Sequence, residues 1–376
     1  MPYVELPGIN TAGDSSGATD QMNDKSPPFE LPCVAVVITC YNYRAYVEQA
    51  IRSVLAQTYR NWDCVIVDDA STDGSADHIR ELLAAIDDPR LRLLARPRNG
   101  GQIAGFRDGF AATDAPFVVF LDSDDAWLPD FLLAHLSAHL NATHSAALSS
   151  SDVFLVDGRG TLLSGTFIPL RKPRSGPDGN GLAIVPDGQL ADMASGIAYA
   201  SEHPVTYFAP AITGWLWSPC SAIMYRRGAL EPVLSFPFKA NMGADYLTAT
   251  CAHLASGSLI LSEGLSLYRL HGSNMSSIGA AFTGGHVPQT PSYRAYRSIL
   301  AADVVDYVLE NSAWLSDVHG RKFIPAFLRQ HVRQFREIAD DPRLMRYLTR
   351  GRPWQWLRMH IAQWLRRLGG RGSTRS

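Results

Sequence analysis

Residues 34–79 read VAVVITCYNYRAYVEQAIRSVLAQTYRNWDCVIVDDASTDGSADHI, and this stretch decides the fold. Residues 34–39 are a short apolar, β-branched run, the pattern of a strand buried on both faces. Cys40, Tyr41, Asn42 and Tyr43 form a polar and aromatic exit. Val47, Ile51, Val54, Leu55 and Thr58 then fall on one helical face, with Glu48, Gln49 and Arg52 elsewhere. Residues 64–67 are a second buried strand that runs into Asp68, Asp69, Ser71, Thr72, Asp73 and Gly74. Two parallel strands joined by a helix make a right-handed βαβ unit, and ligands bind beyond the carboxyl ends of such strands. Both polar clusters stand at those ends, so a nucleotide-sized ligand is expected there.

Outward from this unit, residues 76–86 read as a helix and 91–94 as a third strand. Gly100 and Gly101 permit a tight turn before a helix over 103–112. Arg96, Arg98 and Arg107 read as solvent-facing or as steering a phosphate. Residues 117–121 are a fully apolar strand that ends in Asp122-Ser123-Asp124-Asp125. Alternation along an extended segment points Asp122 and Asp124 the same way. Asp125 reads as the cap of a helix over 126–140, with Trp127, Phe131 and Leu132 in the core. The competing reading of both acidic clusters is structural, because Asp, Ser and Thr favour caps and turns.

Farther on, a strand is expected over 145–156, a hairpin turn at 158–160 and a Pro- and Gly-rich surface loop over 169–186. Tyr207, Phe208, Trp215 and Trp217 form an aromatic group suited to stacking on sugar rings, with at least one tryptophan in the core. A strand follows at 221–225. Asp245 stands near the start of a helix over 247–254, where a carboxylate is favoured, as a cap or as a reacting group. Short strands at 259–261 and 265–268 lead to Tyr268-Arg269-Leu270-His271. Residues 291–348 are helical in pattern. One stripe is Ile299, Ala302, Val305 and Leu309; another is Phe323, Phe327, His331 and Val332. These helices cover the preceding domain or support a homo-oligomer. Residues 342–376 carry nine arginines and no acid. Trp354, Leu357, Ile361, Trp364, Leu365 and Leu368 share one helical face there, the pattern of a helix at an anionic membrane surface or of one docked on the protein.

A chain of 376 residues suggests one large or two moderate domains. Its 46% hydrophobic and 19% charged content suits a globular protein with ample core, and a net charge of −2 argues against a nucleic-acid binder. The five cysteines lack C-x-x-C spacing and suit buried thiols in a reducing compartment. No run of eighteen apolar residues predicts a spanning helix, and no basic region followed by an apolar core predicts a signal peptide. Residues 1–31 read as a disordered tail.

The spaced elements V-I-T-x-Y-N (37–42), S-V-L-A-Q-T (53–58) and V-D-D-x-S-T-D-G-S (67–75) resemble the amino-terminal half of a family 2 glycosyltransferase. The D-x-D of Asp122 and Asp124, the segment ending in Gly243-Ala244-Asp245, and the run from Tyr268 to Ser276 resemble further motifs of that family. The resemblance covers residues 34–276, roughly two thirds of the chain. It implies an α/β GT-A fold: a Rossmann-like nucleotide-binding half with a mixed central sheet, plus a C-terminal helical extension. The implied organisation is a GT-A domain over 32–276 (donor half 32–150, acceptor half 151–276), a helical extension over 277–349 and a basic amphipathic helix and tail over 350–376.

On the family pattern, Thr39 and Tyr41 would line the uracil or ribose pocket, and Asp69 would accept a hydrogen bond from the base. Asp122 would contact ribose and metal-bound water, Asp124 the metal, and Arg269 and His271 the metal or the diphosphate. Asp245 would be the general base of an inverting transfer. The chain departs from the pattern at Asp108, where asparagine is common, and at Ala244, where an acid is usual, so only Asp245 can carry that role. Mg²⁺ or Mn²⁺ on hard oxygen ligands would stabilise the leaving diphosphate. The implied reaction moves a sugar from a nucleotide-sugar, a UDP-sugar by expectation, to a hydroxyl of a glycan or lipid-linked acceptor. The implied setting is cell-surface polysaccharide synthesis at the cytoplasmic face of the membrane. A nucleotidyltransferase is one rival, but residues 39–43 lack a basic triphosphate loop. A catalytically silent carbohydrate-binding protein is another, and the presence of Asp124 and Asp245 counts against it.

Overall fold

The computed structural model describes residues 30–165, 205–212, 216–271, 291–339 and 341–349. The tail 1–29, the loop 169–186, Trp215, the motif residues 272–276 and the basic segment 350–376 lie outside them. The opening unit forms as read: β1 (Val34–Cys40), α1 (Val47–Leu55) and β2 (Trp62–Asp68). Helix α1 ends at Leu55, so Thr58 is exposed and donates to Asp130 Oδ1 at 2.6 Å rather than joining the apolar face. Next come α2 (Ser75–Ile86), β3 (Leu91–Ala95), α3 (Gln102–Ala111) and β4 (Phe117–Asp122). Strand β1 lies between β2 and β4 and parallel to both, with Thr39 level with Val67 on one side and Asp122 on the other. The carboxyl ends of three strands therefore open on one edge.

Alternate residues of β1 enter two cores. Val34, Val36 and Ile38 pack with Val47 and Ile51 of α1, while Ala35 and Val37 pack with Ile103 and Phe106 of α3. Both faces are covered, which is why the strand reads as continuous apolar sequence. Gly109 lets α3 lie this close, since a Cβ there would stand 2.2 Å from Val37 Cγ1.

The second half supplies β5 (Ala126–Trp127), α4 (Phe131–Asn141), β6 (Leu148–Asp157), β7 (Leu162–Ser164), β8 (Thr206–Phe208), β9 (Ile223–Arg226), α5 (Arg227–Ser235), α6 (Ala244–Ser256) and β10 (Ser258–Leu270). The sheet order is β3-β2-β1-β4-β9-β6-β10-β5, with β7 on β6 and β8 on β10. Strand β9 is antiparallel to β4 and to β6, so the sheet is mixed, as expected. Two expectations are corrected. The helix read over 126–140 begins only at Phe131: Pro129 turns Leu128 away from helix, and Ala126 and Trp127 pair with β10 instead. The two strands read at 259–261 and 265–268 are one strand, irregular between Ile260 and Ser266.

Helices α7 (Pro291–Glu310), α8 (Ser312–His319), α9 (Phe323–Gln334) and α10 (Pro342–Thr349) close the described chain. Val304, Val305, Val308, Phe327 and Leu328 share a core with Val37, Phe106 and Leu247, so these helices cover the preceding domain. The buried stripe of α7 is Leu300, Ala301, Val304, Val305 and Val308, and Ile299 is exposed. Ala302, Val305 and Leu309 of the expected stripe pack on this core, and Ile299 of that set does not. The five cysteines are free thiols, four of them buried.

Candidate active site

The two polar exits of the βαβ unit latch to each other. Asn42 N–H donates to Ser71 Oγ (2.9 Å), Thr72 N–H to Asn42 Oδ1 (2.7 Å) and Arg44 N–H to Asp73 Oδ2 (3.0 Å). Tyr41 is left half exposed at this rim. Asp69 binds the next loop: its carboxylate accepts N–H bonds from Gly100 (2.9 Å) and Gly101 (2.8 Å) and pairs with Arg96. Arg96 also bonds Asp108 at 2.7 Å, which gives the aspartate at the asparagine position a partner. Arg107 donates to the carbonyls of Leu234 and Phe236. Arg96 thus joins two carboxylates and Arg107 ties two backbone carbonyls, and neither is simply solvent-facing.

The acidic turn after β4 is held from several sides. Asp122 Oδ1 accepts from Thr39 Oγ1 and Gln102 Nε2, each at 3.4 Å, and Gln102 Oε1 accepts the Ala244 N–H at 3.0 Å. Gln102 therefore bridges the D-x-D turn to the start of α6, where Asp245 sits. Asp124 Oδ2 stands 3.0 Å from His271 Nε2, and both side chains are buried. The His271 ring stacks on Tyr46 at 5.2 Å and meets Tyr43 edge-on at 5.5 Å.

Asp125 does not cap a helix. It accepts Ser221 Oγ–H at 2.6 Å and Arg269 N–H at 2.9 Å. Ser221 Oγ in turn accepts the Asp122 N–H at 3.1 Å, and Arg269 Nε donates to Asp124 O at 2.8 Å. The Arg269 guanidinium also reaches Gln49 Oε1 and lies 5.1 Å from the Tyr46 ring. Arg269 is nearly fully buried, so it buttresses the turn that presents Asp122 and Asp124. Asp245 is not a cap either, because Gly243 occupies the N-cap position with φ 68°. Asp245 lies in the first turn of α6, and its Oδ1 accepts the Tyr246 N–H at 2.7 Å.

Burial, then the charges of Asp124 and Asp245, push the Asp122 carboxyl up to about 7. Burial also raises Asp125 well above the ordinary carboxylate range, and Asp245 above it. The Tyr43 phenol is raised by burial and by the charge of Asp124. Crowded, poorly solvated carboxylates resist ionising together unless a cation joins them. Among the described residues no three acid, His or Cys side chains converge into a closed metal cage.

Of the expected aromatic group, Trp215 lies outside the described residues, and the tryptophan expected in the core is Trp217. Trp217 is buried and donates to Ser258 Oγ at 2.9 Å. Tyr207 stacks on His144 at 4.3 Å beside β10. Gln102, Ser221 and the buttressing role of Asp125 went unread, since their partners lie 20 to 144 residues away in sequence.

The family model described as glycosyl transferase family 2 matches residues 35–186, from β1 through the acidic turn and beyond. An uncharacterized glycosyltransferase of Nostoc sp. (strain PCC 7120) is 31% identical over 251 residues, 66% of this chain and 68% of that protein. The chain belongs to glycosyl transferase family 2. As a family 2 member it is a glycosyltransferase using a nucleotide-sugar donor, and its mixed α/β sheet is the GT-A arrangement expected from the motifs. Succinoglycan biosynthesis protein ExoO of Rhizobium meliloti is 30% identical over 228 residues, 61% of this chain and 58% of that protein. An Escherichia coli protein named UDP-Glc:alpha-D-GlcNAc-diphosphoundecaprenol beta-1,3-glucosyltransferase WfgD is 31% identical over 107 residues, 28% of this chain and 41% of that one.

Proposed function

We propose that this family 2 enzyme transfers a hexose from a UDP-sugar, with inversion, to a hydroxyl of a membrane-associated glycan in cell-surface polysaccharide synthesis. The carrying observation is the Gln102 bridge, which ties Asp122 of the acidic turn to the helix start that presents Asp245. One side of the site thereby offers donor-binding carboxylates and the other a single base. Asp245, raised by burial, takes the acceptor proton as that oxygen attacks the anomeric carbon, so one displacement suffices. Asp124 with His271, and Asp122 beside them, are the residues that would hold Mg²⁺ or Mn²⁺, whose charge when bound would stabilise the departing diphosphate. Thr39, Tyr41 and Asp69 border the region assigned to the base and ribose. With Asp69 already accepting from two backbone N–H groups, its part in base recognition runs through its remaining lone pairs and the loop it shapes.

The UDP-glucose named for the Escherichia coli relative and the polysaccharide named for ExoO support the donor and pathway class. No helix among the described residues is long and apolar enough to cross a membrane, and the arginine-rich segment 350–376 is the proposed membrane contact. A nucleotide-sugar panel assayed for transfer and hydrolysis with Mn²⁺ tests the reading. Asp245→Asn is expected to lower turnover about 10²–10⁴-fold while UDP still binds, and NMR of the product is expected to show inversion. Retained configuration, or full activity in Asp245→Asn, refutes it. Flotation with anionic liposomes, with and without residues 350–376, tests the membrane contact.

A further inference from the structure

A second concave site lies away from the acidic turn, along the outer edge of β10. Strand β8 pairs with Ser258–Ile260 and β5 with Ser266 and Leu267, leaving the irregular stretch between them uncovered by either strand. Over that gap α4 presents small side chains, Ala134 and Ala138, and a cavity of about 380 Å³ remains between helix and strand. That volume is in the range of small-molecule sites. Its floor is Leu259, Leu261 and Glu263, all at most 4% exposed. Asn141, Thr143 and the stacked His144–Tyr207 pair border the mouth.

Glu263 is the telling residue. It is only 2% exposed, it lines the cavity, and its Oε2 has no hydrogen-bond partner. A buried carboxylate without a donor is costly, and nothing in the D-x-D chemistry uses this one. Glu263 lies six residues before Arg269 on the same strand, so up to about 20 Å separates it from the acidic turn. The described lining residues include no Lys or Arg and do include the acidic Glu263, which disfavours phosphates, nucleotides and uronic acids.

We propose that this cavity is a saccharide-binding subsite for one neutral sugar unit of a glycan, distinct from the donor cleft. A sugar ring offers an apolar C–H face to Leu259, Leu261 and the alanines, and a hydroxyl edge whose O–H groups satisfy Glu263. The exposed His144 and Asn141 leave the mouth open for the rest of a chain. The use of such a site, holding the acceptor or product glycan near the enzyme, rests on the proposed glycan acceptor; the binding itself does not.

The test is equilibrium binding of a panel of neutral tri- and tetrasaccharides to the full chain, by calorimetry and saturation-transfer NMR, with glucosamine and glucuronic acid as charged comparators. At least one neutral saccharide is expected to bind and to remain bound when UDP saturates the donor cleft. Glu263→Gln and, separately, the exposed-site variant His144→Ala are expected to weaken that binding at least tenfold while UDP affinity and donor hydrolysis stay unchanged. Three results overturn the proposal: no neutral saccharide binds, binding is unaffected by both substitutions, or only the amine-bearing comparator binds. Donor hydrolysis in the same preparations reads the transferase assignment independently, so failure of either is told from failure of the other.

Discussion

At the scale of single residues, the acidic turn is held by buried polar groups bonded to one another. Asp125 satisfies Ser221 Oγ–H and Arg269 N–H in one carboxylate. Asp125→Ala leaves two buried donors without their acceptor at about 1–3 kcal/mol each, so denaturant unfolding should show a loss of roughly 2–5 kcal/mol. Asp125→Asn keeps an acceptor and should lose far less. Ser221→Ala removes the hydroxyl that accepts from the Asp122 backbone; it is expected to weaken UDP-sugar binding more than it lowers stability. Equal donor affinity in Ser221→Ala and the parent enzyme would dismiss the serine as a support of the turn.

Elements position Asp245, the proposed base. Helix α7 meets the segment before α6 through Asp303, which is buried and accepts the Lys239 and Ala240 N–H groups at 2.8 to 3.1 Å. It reaches the N-cap of α6 as well, since a Cβ on Gly243 would meet Tyr296 Oη at 2.3 Å and Leu300 at 3.1 Å. The C-terminal helices therefore support the segment leading into the helix start that carries Asp245. Asp303→Ala should lower both thermal stability, by about 1–3 kcal/mol of unpaired backbone donors, and turnover; a variant that loses stability but keeps full turnover would uncouple helix from base. On the same face of the sheet, Gly109→Val would drive methyl groups into Val37, an overpacking expected to cost about 1–3 kcal/mol or more by chemical denaturation.

For the molecule as a whole, buried titrating groups pull in opposite directions. Burial lowers His135 and His139 to about 3, and His253 and His331 to about 4. Below pH 6.5 the unfolded chain binds protons these side chains refuse, so each takes away stability as pH falls, at about 1.4 kcal/mol per unit down to its folded value. Glu263, raised to about 7 by burial and Asp130, does the reverse: the folded state holds its proton longer, and stability falls as pH rises from 4.5 to 7. The two sets overlap near pH 5 to 6, so variants read them better than the parent curve. The cost of His331→Gln should be about 2 kcal/mol smaller at pH 5 than at pH 7.5. Glu263→Gln should raise the melting temperature at pH 8 and leave it unchanged at pH 4. A pH-independent difference in either series would contradict the assignment.

The sequence by itself determined the βαβ unit, the strand that ends in Asp122 and Asp124, the place of Asp245 near a helix start and the family, because each rests on local periodicity or on motifs a few residues long. It also carried the buried free thiols and the mixed sheet. Only the tertiary structure decided what those residues touch. Arg96, Arg107 and Arg269 read as phosphate candidates, yet each closes on carboxylates or carbonyls brought in by folding. Asp125 read as a helix cap and became the link from the acidic turn to β10. Trp217 went to the core and Tyr207 to the far edge of β10. Buried polar groups must find partners, and those partners come from strands and helices adjacent in space and far apart in sequence, which no local pattern encodes.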